Sequence, residues 1–330
     1  NEFQQIGKVN IGITAGVETS AVSAAWLDGC NKMDFVITVS EHSKNGFIGA
    51  RYDKMQQMAD GQQQKVGELK LEKPIEVLFE GLEVNEFFPM KSSELKTPIS
   101  KTLDSIEENF CYLMVGQWCQ GGFGEDRKDI PRAIQTFYET FANKTSPPAL
   151  VIKTSGATFS ILDREECKRK LNSIKKQFPK DVVLPNVYFI HGSLSKEEMN
   201  EMYNHHKIKS FYLITHGEGF GRPLLEASFT GLPIITSNWS GQLDFLDSDH
   251  STLVSGKLQQ VPKSVVWKDI INLTRIKYAV VIGSTLTVLF CLLIALTASY
   301  ALGRIQFKGR TVLLLGILGT SMFPQVAILS

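Results

Sequence analysis

Two carboxylates carry the clearest chemical signal in this sequence. Glu218 and Glu226 stand with seven residues between them, inside the stretch THGEGFGRPLLEASFTG that runs from Thr215 to Gly231. The apolar segment before it, Phe211-Tyr-Leu-Ile214, reads as a short strand, so the stretch predicts a glycine-rich turn opening a helix. Gly217, Gly219 and Gly221 permit positive φ and a close approach of backbone to ligand. Pro223 suits a first helical turn, where its missing N–H costs nothing. Free amides and the helix dipole at such a start attract an anion. An acid is a poor companion for phosphate alone. It suits a ligand with a phosphate end and hydroxyl-rich ends, because carboxylates accept hydrogen bonds from sugar hydroxyls. A nucleotide sugar has that layout. The plainer alternative is a Rossmann-type helix start carrying two surface glutamates.

The elements that must position these acids follow from periodicity. From Phe110 onward, apolar runs alternate with helical patterns, which argues for a parallel sheet. The strands are Cys111–Val115, Ala149–Thr154, Val187–Ile190, Phe211–Ile214 and Pro233–Ser237. The helices run from Pro131 to Ala142, from Arg164 to Phe178 with Leu171, Ile174 and Phe178 on one side, and from the capping box Ser195-Lys-Glu-Glu198 to Tyr203. Ligands of such sheets bind beyond the carboxyl ends of the strands, which is where the acids fall. Upstream, Val9–Thr14 and Phe35–Val39 read as strands, and Thr19–Gly29 as a helix capped by Thr19 or Ser20. Ser40 caps another helix, carrying His42, Lys44 and Phe47; His42 is expected on its surface. Asp53–Lys73 is polar and glutamine-rich, an expected insertion or mobile loop. Ile75–Pro89 reads as a strand, a turn and an aromatic cluster. Lys91–Glu108 is charged, contains Pro98 and lacks a period, so it is the expected interdomain linker.

Glu218-Gly-Phe-Gly-Arg-Pro-Leu-Leu-Glu226-Ala, followed by Gly231-Leu-Pro233, resembles the E-x7-E signature of retaining GT-B glycosyltransferases of group 1. The strand–Ser40–helix unit resembles the last part of that family's N-terminal domain, and Ile75–Pro89 its crossover, with Glu83 where Asp is usual. The resemblance implies a Rossmann-like donor domain with a parallel sheet at 110–262 and a partial, truncated Rossmann-like domain at 1–90. Residues 91–109 form the expected linker and 263–277 a junction. It implies transfer of a hexose from a nucleoside diphosphate sugar, with retention, to an unidentified acceptor. Glu218 would contact the donor sugar and Glu226 the ribose, and both are expected to be catalytic. Gly219, Phe220 and Gly221 would set amides near sugar and diphosphate, flanked by Arg222 and Leu224, with Ser240 and Gly241 closing the far wall. The family has an arginine directly after Val-Gly; Gly116 is followed here by Gln117, a departure that weakens the case for full activity. Arg127 and Lys128 open the next helix, and Lys128 fits the family's lysine. Lys153, at a strand end, is a second expected phosphate contact. The family works without a cofactor and usually without a bound metal, so none is expected.

The C-terminal tail has a different composition. Tyr278–Gly303 holds 26 uncharged residues, which at ~1.5 Å per residue exceeds a ~30 Å hydrocarbon core. Thr311–Ser330 is a second uncharged run, of 20 residues, interrupted by Pro324. Two transmembrane helices across 278–330 and contact with a lipid bilayer are therefore expected. Ala298–Arg310 and Met322-Phe-Pro324 resemble sugar-type ABC transporter permeases over residues 272–330, in a truncated form. In that family the loop with Arg304, Lys308 and Arg310 faces the cytoplasm, which would put the preceding domain outside, away from cytoplasmic donor. A joined reading frame and a membrane-anchored transferase are the competing accounts. A permease fragment with an unrelated extension and an inactive nucleotide-sugar-binding module are the alternatives for function.

Composition bounds the rest. Charge is balanced, 35 basic against 34 acidic residues, which implies no nucleic-acid partner. Five scattered cysteines suggest no disulfide framework, and a reducing cytoplasm is the simpler setting for the catalytic domain. The six histidines show no metal-ligand spacing, and His205-His206 is expected to be solvated at a helix end. With no initiating Met and no signal-peptide pattern, the chain reads as a fragment.

Overall fold

The structure, a computed structural model, describes residues 3–58, 62–119, 124–261 and 277–280 of the 330-residue chain. An N-terminal lobe is built on β1 (Ile11–Ile13), α1 (Ala24–Cys30), β2 (Phe35–Thr38) and α2 (Glu41–Gly49). β3 (Tyr52–Gln57), β4 (Gln63–Leu69) and β5 (Ile75–Val77) complete it. β1, β2 and β5 form a parallel sheet in that order. Ser40 caps α2 as its sequence requires, its side chain accepting from the Ser43 amide. α1 begins only at Ala24, with Ser23 as N-cap, so the helix expected from Thr19 starts later. The chain at 15–22 is used instead to reach the other lobe.

The polar stretch 53–73, expected to be an insertion or mobile loop, is instead an antiparallel hairpin of β3 and β4, register Tyr52↔Leu69 to Gln57↔Gln63. Its strand character escapes a hydrophobic pattern because nearly all its side chains face solvent. Only the hairpin base, Tyr52 and Leu69, enters the lobe's core.

The stretch at 91–109, expected to be a linker, is ordered and docked. A 3-10 turn at Ser92–Glu94 leads into α3 (Pro98–Asp104). Ile99, Leu103 and Ile106 are buried in the main core. A single acid from a later helix holds the start of α3. Glu201 accepts from the Lys96 amide (2.8 Å), the Thr97 amide (2.9 Å), the Thr97 hydroxyl (2.7 Å) and the Ser100 hydroxyl (2.6 Å). Burial pushes the Glu201 carboxyl up, but these donors outweigh it and leave its pKa lowered.

The second lobe comprises β6 (Cys111–Val115), α4 (Ile130–Phe141), β7 (Ala149–Lys153), α5 (Ile161–Lys175), β8 (Val187–Ile190) and α6 (Lys196–Asn204). Then come β9 (Ile208–Leu213), α7 (Arg222–Phe229), β10 (Ile234–Ser237), a 3-10 turn at Gly241–Asp244, and β11 (Ser251–Val254). The sheet is parallel in the order β11-β10-β9-β6-β7-β8. Its central strands read as unbroken apolar runs because helices cover both faces; all five residues of β6 are buried. The chain builds outward from β6 to β8, then returns to place β9 on the other side of β6. That reversal makes the β6/β9 junction the topological switch point, where ligands of open α/β sheets bind.

β12 (Lys257–Gln260) pairs antiparallel with β13 (Lys277–Val280). Residues 278–280, expected to open a membrane helix, are thus strand; their pairing with β12 competes with helix. The rest of the two expected transmembrane segments lies outside the described residues. Among the described residues no helix is long and apolar enough to cross a membrane.

The docking of α3 gives a direct test. Leu103→Ala should cost about 2–5 kcal/mol of unfolding free energy in a denaturant titration, the usual range for a buried leucine. A residue in an undocked linker would give a change within about 0.5 kcal/mol.

Candidate functional site

The loops after β6 and β9 face one another at the switch point, and they bring Arg127, Lys128 and Glu218 together. The β6–α4 loop ends at Asp129, in the left-handed region at φ 46, which turns the chain so that Arg127 and Lys128 point back over the sheet. The Asp126 carboxylate accepts from the amides of Lys128 (3.2 Å) and Ile130 (3.3 Å) and fixes this turn. From the other side, β9 runs into the glycine-rich turn, and Gly221, at φ 100, caps α7. Glu218 is buried there against two cations. Lys128 Nζ bonds its Oε1, and Arg127 Nη1 lies 3.6 Å from its Oε2. Side-chain exposures of 8% for Lys128 and 6% for Glu218 make this an ion pair almost removed from water. Such a pair persists only with good geometry and satisfied hydrogen-bonding groups.

Ser240 and Gly241, expected to close the far wall, are hydrogen-bonded to the Glu218 backbone. The Glu218 amide donates to Ser240 Oγ at 2.7 Å, and the Gly241 amide to the Glu218 carbonyl at 2.9 Å. Phe220 is buried against Phe79 and Phe245, with ring centroids 5.0 and 5.3 Å away. Gly116 lies beside the Lys128 side chain.

The second acid faces other partners. Glu226 accepts from Tyr203 Oη on α6 at 3.0 Å and from Arg222 Nε at 3.2 Å. Desolvation raises its pKa, against the hydrogen bonds from Tyr203 and Arg222. Arg222 also reaches Glu80 at 3.2 Å. The two acids therefore share no bonding partner. Leu224, on the buried side of α7, is fully buried as packing.

The glycines correct a sequence expectation. Gly217 and Gly219 admit a close approach, but what approaches them is the N-terminal lobe. A Cβ on Gly217 would collide with the Glu18 carbonyl, and one on Gly219 would meet the Ala15 carbonyl at 2.9 Å. Ser40 Oγ donates to the Gly219 carbonyl at 2.6 Å, and the Glu41 amide donates to Asp244 Oδ2 at 2.8 Å. Arg127 Nη1 closes the same seam on Glu18 Oε1 at 2.9 Å. His42, expected on the helix surface, is half-buried in this seam, its ring edge-on to Trp239 with centroids 4.9 Å apart. Burial lowers its pKa. Sequence reasoning missed Glu18 and Ser43 as site neighbours, because nothing local to them signals a contact some 200 positions away.

Lys153 lies apart from Glu218, in a cleft of about 360 Å³ at the ends of β6 and β7 that Gly116, Gln117, Gly156 and Phe159 also line. Its ammonium sits 5.2 Å from the centre of the Phe159 ring, and desolvation lowers its pKa. Gln117 Nε2 donates to the Gly156 carbonyl at 2.6 Å and so braces the cleft's rim. Asp163 braces it further. Its carboxylate accepts from the amides of Gly156 and Ala157, both 2.9 Å, and lies 2.9 Å from His191 Nε2. Burial opposes ionisation here, but the His191 and amide hydrogen bonds dominate and bring the Asp163 pKa down to about 2.

His205, expected to be solvated, is buried; only its neighbour His206 is exposed. Asp104, His205 and His206 offer ligand atoms within 4.8 Å of one another. The Lys207 amide donates to His205 Nδ1 at 3.3 Å, which leaves the proton on Nε2, directed at Asp104 Oδ1 3.2 Å away. That His–Asp hydrogen bond joins the end of α6 to α3.

Comparison with known proteins bears on the fold. Residues 158–264, about a third of the chain, match the family model described as glycosyl transferases group 1. The fold resembles Anabaena HepE, solved with UDP and glucose, at TM-score 0.50 and 13% identity over 75% of this chain and 58% of that one. Sucrose-phosphate synthase from Thermosynechococcus elongatus matches at TM-score 0.47 and 15% identity, over 70% and 47% of the two chains. An alpha,alpha-trehalose-phosphate synthase from Burkholderia vietnamiensis matches at 0.49 and 11%, over 94% and 62%. The chain spans less than two thirds of each of these structures. No curated protein matches it, and the permease resemblance of residues 272–330 gains no support.

Two measurements probe the site's construction. Lys128→Met and Glu218→Gln should each destabilise the fold by about 3 kcal/mol, since each strands a buried charge. The double variant should recover a substantial part of the summed loss, read as a coupling energy from the double-mutant cycle. For Asp163, the folded pKa lies below the unfolded value of 3.8, so its contribution is present above about pH 4 and is lost as pH falls toward 2. Asp163→Asn should melt below the wild type at pH 7, and the gap should close on acidification through that window.

Residues 158–264 thus carry a match to the group 1 glycosyl transferase model, within a chain whose parallel α/β sheet has the fold seen in Anabaena HepE.

Proposed function

We propose that the chain transfers a hexose from a nucleoside diphosphate sugar to an acceptor, with retention of anomeric configuration. The observation that carries this reading is the meeting of Arg127, Lys128 and Glu218 at the topological switch point, beside the cleft at the ends of β6 and β7. Departure of a diphosphate builds negative charge, and fixed cations aimed at that charge lower the barrier. Arg127, Lys128 and Lys153 supply positive charge from side chains, so no metal and no cofactor enter the proposed chemistry. Glu218 accepts hydrogen bonds from the donor sugar. Glu226 takes the ribose when Arg222, whose side chain is 43% exposed, turns outward. The Anabaena HepE structure was solved with UDP and glucose, which makes UDP-hexoses the first donors to test. A charged donor made in the cytoplasm would place the catalytic domain there.

The second reading, a module that binds nucleotide sugar without turnover, is favoured by one observation. Gln117 stands where the family's arginine is expected, and its amide is committed to the Gly156 carbonyl.

Thermal melts of the full chain with UDP-, GDP- and ADP-hexoses decide between these readings and neither. A stabilising shift with one nucleotide is expected; none with any would remove both readings. Turnover should then be detected as release of nucleoside diphosphate, and NMR of the product should show the donor's anomeric configuration. Glu218→Gln should lower kcat/KM about 10- to 100-fold, the scale of one charge-assisted hydrogen bond.

A further inference from the structure

We infer that Glu18, a carboxylate of the N-terminal lobe, competes with the donor's diphosphate for the Arg127 guanidinium. The inference rests on the donor-site reading above and adds a residue that the E-x7-E pattern does not contain.

Three observations lead to it. The two cations are not equivalent: Lys128 belongs to Glu218, whereas the carboxylate nearest Arg127 is Glu18, at 2.9 Å against 3.6 Å for Glu218. They also differ in access. The Lys128–Glu218 pair is nearly sealed, while Arg127 and Glu18 keep 35% and 32% of their side chains exposed. Solvent reaches this pair, so a ligand can displace one partner without stranding a buried charge. Finally, the Glu18 main chain is fixed against Gly217 by close packing, with its carbonyl where a Cβ would otherwise be. Only its side chain is free to leave.

Charge balance turns this arrangement into competition. Arg127 and Lys128 are offset by their ion-pair partners Glu18 and Glu218, with Asp126 a further acid near Arg127, so the cluster has no net positive charge as it stands. A diphosphate brings at least two negative charges, and its attraction to such a cluster is weak. Withdrawal of one carboxylate makes the field there more positive. Glu18 is the carboxylate that can go, since it is the more exposed and engages a single cation. Glu18 therefore sets how tightly the diphosphate is held, and a donor that binds leaves the seam between the lobes without its salt bridge.

Calorimetric titration of the full chain with UDP, GDP and ADP, and with uridine as a phosphate-free control, tests this. Glu18→Gln and Glu18→Ala should bind the preferred nucleoside diphosphate more tightly than the wild type, by up to about fivefold, the worth of one partly exposed ion pair. Uridine binding should not change. Weaker binding in both variants would mean that Glu18 positions Arg127, and unchanged binding would mean that it does neither; both results overturn the competition. If neither wild type nor variants bind any of the three diphosphates, the donor-site reading itself fails, and the competition falls with it.

Discussion

The structure depends on a carboxylate that cannot be left alone. Glu218 is almost withdrawn from water, and an isolated charge in that position would cost several kcal/mol. Lys128 and Arg127 make it tolerable, and they arrive from a loop 90 positions earlier in the chain. The sheet makes the meeting possible, because returning β9 to the free side of β6 sets the two loops against each other at one edge. The left-handed turn at Asp129 and the Asp126 carboxylate then aim the cations. Strand order, loop geometry and electrostatics are thus one constraint expressed at three levels.

The same constraint explains the glycines. A donor site needs backbone close to its ligand, and Gly217, Gly219 and Gly241 remove side chains at that place. In this structure the space is taken by main chain: the Ala15–Glu18 segment lies on Gly217 and Gly219, and Gly241 sits against the Gly219 carbonyl. The two lobes are fastened by polar contacts at Ser40, Asp244 and Arg127, alongside the His42–Trp239 ring contact and Val261 in the N-terminal core. Polar seams of this kind exchange readily with water and ligands, whereas the main core beneath the sheet does not.

Much of this was legible in the sequence, and the reasons differ by element. β6 and β7 were readable because strands buried on both faces are unbroken apolar runs, β8 because even this half-buried edge strand is a short apolar run, and α6 because its capping box is local. Glu218, Lys128, Ser240 and Gly241, named from the motif and its flanks, lie together in the structure. The β3–β4 hairpin was not legible, since a solvent-exposed strand carries no alternation. α3 was hidden because a seven-residue helix anchored by Glu201 from across the lobe owes little to its own composition. Glu18 was overlooked and His42 misjudged for the same reason: their contacts are set by the other lobe. The membrane helix expected at Tyr278 gave way, over 278–280, to pairing with β12, a partner no hydropathy window can see.

One detail of the N-terminal lobe reaches further than its size suggests. Val261, which follows the last strand pair member of the second lobe, is buried in the N-terminal core beside Val22, Leu27 and Phe47. That core is therefore incomplete until the polypeptide has passed through the whole second lobe. During synthesis, the first lobe to leave the ribosome would be the last to close, waiting for the chain to come back.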